Sequence, residues 1–154
     1  MKTGSMGLVL ATALLVLGTI EGAAQGSATR VAALAGAYVY FHYPLNNTTV
    51  PSKFKVRIGL RNMGVAPAGI NRPGTGHHHL LIDTQLASPE RPIPNDHQHI
   101  HLGNGQTEVD VTLAPGRHTL QLVVGDHDHV PHVAPVVSQR ITIQVKDDVA
   151  ASVQ

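Results

Sequence analysis

Short stretches of alternating apolar and polar residues, cut off again and again by Gly and Pro, leave this chain little choice but strands. In KFKVRIGL (53–60) Phe54, Val56, Ile58 and Leu60 face one way and Lys53, Lys55 and Arg57 the other. TEVDVTL (107–113) sets Thr107, Val109, Val111 and Leu113 against Glu108, Asp110 and Thr112, and QRITIQV (139–145) puts Ile141, Ile143 and Val145 on one face. Successive strand residues point to opposite faces, so a period of two marks half-buried antiparallel strands. HTLQLVVGD (118–126) repeats the pattern after the turn Ala114-Pro115-Gly116, and AYVYFHY (37–43) is rich in β-branched and aromatic residues up to Pro44. HHHLLID (77–83) reads as a further strand. GVAPAGINRPGTG (64–76) reads as loop, and so does 84–105 apart from a short strand at 98–102. No helical period is sustained beyond the N-terminal segment. The expected fold is all-β, an antiparallel immunoglobulin-like β-sandwich of about seven strands. The alternative is a small Greek-key barrel, including a cupredoxin-like arrangement.

The 154 residues suit a single domain at 37–146. Ahead of it, Lys2, the apolar run LVLATALLVL (8–17) and the small residues Gly22, Ala23 and Ala24 read as a signal peptide over 1–24. Glu21 interrupts the run before it reaches the roughly 20 apolar residues of a membrane span. The expectation is therefore a periplasmic or secreted protein without stable membrane insertion after cleavage. Residues 25–36 read as a flexible lead-in and 147–154 as a frayed tail. A formal charge of +1 gives no nucleic-acid footprint, and the absence of Cys excludes disulfides, thiol nucleophiles and thiolate metal sites.

Eleven histidines stand out against this composition. In an immunoglobulin-like sandwich the strands 53–62 and 77–83 run antiparallel, as do 77–83 and 117–126. That order brings His77, His78 and His79, then His97, His99 and His101, then His127, His129 and His132 to one end. His42 and His118 fall at the other end. Residues i and i+2 of a strand share a face, so His77 with His79, and His99 with His101, can present two rings to one point. His129 and His132 flank Val130-Pro131. The candidate metal ligands are His77, His79, His99, His101, His129 and His132. His78 aligns with Leu80 and Ile82 and reads as a buried structural residue, whereas His97 and His127 read as ligand neighbours or solvated loop residues. Asp126 or Asp128 could ligate or orient an imidazole, and Met63 is either a soft ligand or a packed loop residue. An all-imidazole, thiolate-free site favours copper, with zinc second. A hydrogen-bonded network that staples the loops would use the same residues without an ion.

The stretches GLRNMGVAPAG (59–69), TGHHHLLID (75–83), HIHLGNGQTE (99–108), LAPGRHTLQLVVGD (113–126) and HVPH (129–132) resemble a His-rich exported bacterial family of unknown function. Some of its members carry a rod-shape-determining label. The resemblance extends over about 38–146 and implies an exported β-rich domain, but no activity. His77, His78, His79, His99, His101, His118, His129 and His132 fall on the family pattern, while His42, His97 and His127 look like additions of this chain. His118 then reads as the structural residue of the turn into its strand.

Three functions are open at this point. One is an exported metal-binding protein for buffering or delivery, with a periplasmic protein partner as a further expectation. The second is a non-catalytic interaction module of the cell envelope. The third is a metal-dependent hydrolase or oxidase, for which the chain offers no HExxH, no GxSxG and no phosphate-binding glycine loop.

Overall fold

A computed structural model describes Met1 and residues 30–147, so the signal segment and residues 148–154 lie outside the described residues. The strands are β1 (Tyr38–Tyr43), β2 (Thr48–Val50), β3 (Lys53–Arg61), β4 (Gly64–Val65), β5 (Thr75–Ile82), β6 (His99–Leu102), β7 (Glu108–Thr112), β8 (Gly116–Gly125) and β9 (Ile141–Val145). No helix occurs among the described residues, and none is long and apolar enough to cross a membrane.

Two sheets face each other. The smaller has the order β1-β3-β7, and the larger β2-β9-β8-β5-β4 with β6 added to β5. The partition follows from the alternation. Val39, Phe54, Val56, Ile58 and Val111 point inward from the small sheet, and Leu80, Ile82, Leu120, Leu122, Val124, Ile141 and Ile143 meet them from the large one. The opposite face of the small sheet carries Lys55 between Glu108 (3.0 Å) and Asp110 (3.4 Å), exposed pairs that contribute little to stability. The fold is thus the all-β, immunoglobulin-like sandwich that the sequence pattern implies. β2 and β4 are short parallel additions, and β5 starts two residues before the expected boundary at 77.

One departure from a simple sandwich positions the site. β5 is buried on both faces: His78, Leu80 and Ile82 turn inward, whereas His77, His79 and Leu81 lie on the outer face of the large sheet. That outer face is covered by the segments following β5 and β8. Leu81, Ile93 and Val123 form a second small core there, with Leu86 and Val137 against it. The lead-in expected to be flexible is anchored in its described part. Ala33 N–H donates to Val133 O (3.0 Å), Val133 N–H donates to Val31 O (2.8 Å), and the Arg30 guanidinium donates to Pro131 O (3.2 Å) and His132 O (3.1 Å).

Candidate metal centre

Four imidazoles converge on the outer face of the large sheet. His77 and His79 come from β5, His101 from β6 and His129 from the segment after β8. Register explains the first three: His79 pairs with His101 across β5–β6, and His77 follows two residues earlier on the same face. One ring nitrogen from each residue lies within 4.8 Å of the other three. The Nε2 atoms of His77 and His79 are 3.0 Å apart, and His77 Nε2 is 3.2 Å from His129 Nδ1. Tetrahedral zinc with bonds of about 2.0–2.1 Å places its ligand nitrogens about 3.3 Å apart, so the shorter spacings already match and the widest, up to 4.8 Å, must close by about 1.5 Å.

Glycines make room for the rings. A Cβ on Gly103 would overlap the His101 imidazole, and one on Gly125 would stand 3.0 Å from His79 Nε2 and 3.3 Å from the His129 backbone. His129 itself sits at φ 66°, the left-handed region that non-glycine residues seldom occupy. Asp126 holds it there. Its buried carboxylate accepts from Asp128 N–H and Val130 N–H (both 2.9 Å), and its carbonyl accepts from His129 N–H (3.0 Å). Replacing Gly103 by Ala should leave the fold intact, because the half-buried His101 ring can swing outward. The same change should weaken metal binding by roughly ten-fold or more, comparable with the loss of an outer-shell partner. Isothermal titration of the variant checks this, and unchanged affinity would remove His101 from the site.

Neutral rings alone do not satisfy this cluster. His77 Nδ1 and His79 Nδ1 are buried without a hydrogen-bond partner, as is His101 Nε2. If His77 donates through Nε2, His79 keeps its proton on an unpartnered Nδ1. If His79 donates, His77 does so. Each assignment leaves a buried N–H unpaired, at a cost of about 1–3 kcal/mol. An ion at the focus would use all the inward lone pairs at once, which the donor set fits. The outward N–H groups of His77 and His79 would still lack the carboxylate or carbonyl partner common around zinc, so affinity would rest on the four nitrogen bonds themselves.

Burial favours the neutral form of His77, His79 and His101. Desolvation, followed by repulsion from His101 and His129, pulls the His77 pKa down to about 4. Desolvation lowers His79 further, and His78 and His101 shift the same way for the same first reason. Asp126 opposes the shift at His77, so its field favours positive charge at the focus.

Two of the six candidate ligands lie elsewhere. His99 shares the outer face but sits opposite Leu81, and its Nδ1 lies 2.8 Å from Asp96 Oδ1 within the turn that opens β6. His132 lies on the core-facing side, beside Gly76, with Nε2 3.2 Å from Thr75 O and Nδ1 3.4 Å from Val124 O. It bridges β5 and β8 and is turned away from the cluster. The remaining histidines have separate surroundings. His78 Nδ1 lies 3.0 Å from Gln106 O in the core. His118 joins Asp83 (2.6 Å) to Ala114 O (2.9 Å) at the far end of β8. His42 packs at a tilt against Tyr40, His97 is exposed and His127 pairs with Asp128 at 3.2 Å. Met63 packs against the main core. Neither Asp126 nor Asp128 orients a cluster imidazole by a hydrogen bond. The sequence offered signals for Gly103, two residues after His101 in the turn that follows β6, and for Asp126, although the role expected of it was a different one.

The sequence matches the family described as Domain of unknown function (DUF4399) over residues 56–146. No curated protein matches it. Among solved structures it is similar to an endo-beta-1,4-mannanase from Thermotoga petrophila, at 14% identity and a TM-score of 0.42, over 75% of this chain and 21% of that one. It is also similar to fibronectin(III)-like modules of CbhA from Clostridium thermocellum, at 15% identity and a TM-score of 0.35, over 71% of this chain and 96% of that one. The chain thus spans about a fifth of the mannanase chain. Likenesses this distant bear on neither substrate nor activity.

Proposed function

The chain belongs to the DUF4399 family, whose description assigns no activity, and from its geometry we propose that it is an exported metal-binding protein, for copper first and zinc second, acting in metal buffering or delivery. One observation carries the reading: four imidazoles from three separate segments bring a nitrogen each within 4.8 Å of the others. Imidazole suits both ions, and the packing of Met63 in the core leaves the focus with nitrogen donors, which favours Cu²⁺ or Zn²⁺ over Cu⁺. Four ligands fill a tetrahedral shell, whereas catalytic zinc sites keep a position open and place a base beside it. A non-catalytic role follows. Export rests on the N-terminal segment, and cell fractionation tests it.

Titration of tag-free protein with Cu²⁺ and Zn²⁺, together with elemental analysis of the purified sample, tests the metal. The expected result is about one ion per chain with sub-micromolar affinity. Failure to retain either ion would leave the second reading, an interaction module of the cell envelope with stapled loops. The carbonyl contacts of His78, His118 and His132 are what favour it.

A further inference from the structure

The four candidate ligands are not equivalent. His77 and His79 are fully buried on β5, the strand flanked by β8, β4 and β6. His101 is half-buried on β6 but pinned by its pairing with His79. His129 is half-buried, belongs to no strand and occupies a strained backbone conformation. Its position depends on a few clips, among them Ile93 N–H donating to His129 O and Gly69 N–H donating to His127 O (both 2.9 Å). The Asp126 carboxylate gathers Asp128 N–H and Val130 N–H, Asp126 N–H donates to Val130 O (2.9 Å), and Gly125 bridges Pro131. On the far side, Arg30 holds the Pro131 and His132 carbonyls.

Resting on the metal-binding reading above, the structure assigns His129 the part of exchangeable ligand and Asp126 that of the positioning residue governing when it lets go. Residues 127–130 are then a hinged arm, anchored at its far end by the buried Pro131 and His132. When it lifts, the ion stays on His77, His79 and His101 and gains one free coordination position on the solvent side. An incoming donor takes that position, the bond to His129 having broken first, and the ion leaves without change of oxidation state. The acceptor this suits is a chelating partner with nitrogen or carboxylate donors that arrive one at a time. Placing one of the four ligands on a strained segment beside solvent serves release.

The mechanism has a kinetic signature. Because opening precedes attack, transfer of Zn²⁺ from loaded protein to the chromogenic chelator 4-(2-pyridylazo)resorcinol should level off as chelator is raised, the plateau being the opening rate. Asp126→Ala removes the clip and should raise that plateau about 10–100-fold, the scale of outer-shell losses. Asp126→Asn keeps the accepting oxygen and should restore the plateau to near the wild-type value. In His129→Ala no arm has to open, so the rate should rise with chelator without levelling off, even if Asp126→Ala fails to fold. A plateau unchanged in loaded Asp126→Ala, or one that persists in His129→Ala, would overturn the assignment while leaving the metal site standing. Wild-type protein that loads neither Cu²⁺ nor Zn²⁺ overturns the site and the arm together.

Discussion

Replacing His77 by Leu should change the stability of the metal-free protein little while abolishing its stabilisation by metal. The two effects share one cause. His77 is fully buried at the centre of the cluster, its Nδ1 has no partner, and its Nε2 faces two further ring nitrogens. A leucine of similar volume removes one buried unpaired nitrogen but takes from His79 its ring partner, so a gain and a loss of about 1–3 kcal/mol each roughly offset. It also removes the ligand that two others contact, and affinity should fall by more than the roughly 10–100-fold of an outer-shell loss. In the wild type, metal at about 1,000 times its Kd adds about 4 kcal/mol, or on the order of 10–20 °C in Tm for a domain of this size. Thermal melts with and without Cu²⁺ or Zn²⁺ read both quantities. The control is His132→Leu, equally buried but bonded to carbonyls of β5 and β8. That variant should lose stability and keep its metal response. A metal-induced shift preserved in His77→Leu would sink the site.

The contrast between those two histidines also marks where the sequence stops being readable. Alternation in 53–60 and 107–113 predicts β3, β7 and their buried faces because each strand has one face in the core and one in water. HHHLLID carries no alternation, since β5 is buried on both sides and its outer face is covered by segments remote in sequence. Spacing places His77, His79, His99 and His101 on one face, and the structure agrees. It cannot say that a short turn ties the His99 ring to Asp96 while the neighbouring strand holds His101 against His79. His129 and His132 part company for a backbone reason: a left-handed residue and the Asp126 clip turn one ring to the outer face and leave the other on the core side. No periodicity encodes such a turn. The lead-in illustrates the reverse case: weakly patterned Ala-rich sequence carries no sign of anchoring, yet in its described part Val31 and Ala33 pair with Val133.

Acid should unfold the metal-free protein in a window that belongs to the histidines. In the unfolded chain imidazoles take up protons as the pH falls through about 6.5. In the folded protein burial holds His77 near 4 and keeps His79 neutral further still, with His78 and His101 shifted in the same direction. The unfolded state therefore binds more protons than the folded one below about pH 6.5, so this part of the stability is complete above that pH and declines as acid is added. The slope is at most about 1.4 kcal/mol per pH unit for each such histidine, against a total of about 5–15 kcal/mol for an ordinary domain. Carboxylates enter later. Burial works against the ionised Asp83, but hydrogen bonds from Thr119 and His118 outweigh it and hold its pKa below the usual 3.8, so its contribution fades only below that pH. Denaturant melts of apo protein should accordingly show stability falling steadily between pH 6.5 and 4, with about half of that slope lost in the His77→Leu, His79→Leu double variant. The same depressed proton affinity leaves the lone pairs of His77, His79 and His101 free in mild acid, so metal should still protect the wild type at pH 5.5, where an exposed histidine site would already be losing its ion to protons. Apo stability that stays flat from pH 7 to 5 would mean the cluster is already hydrated or charged in the folded state, and the closed nitrogen site would fall with it.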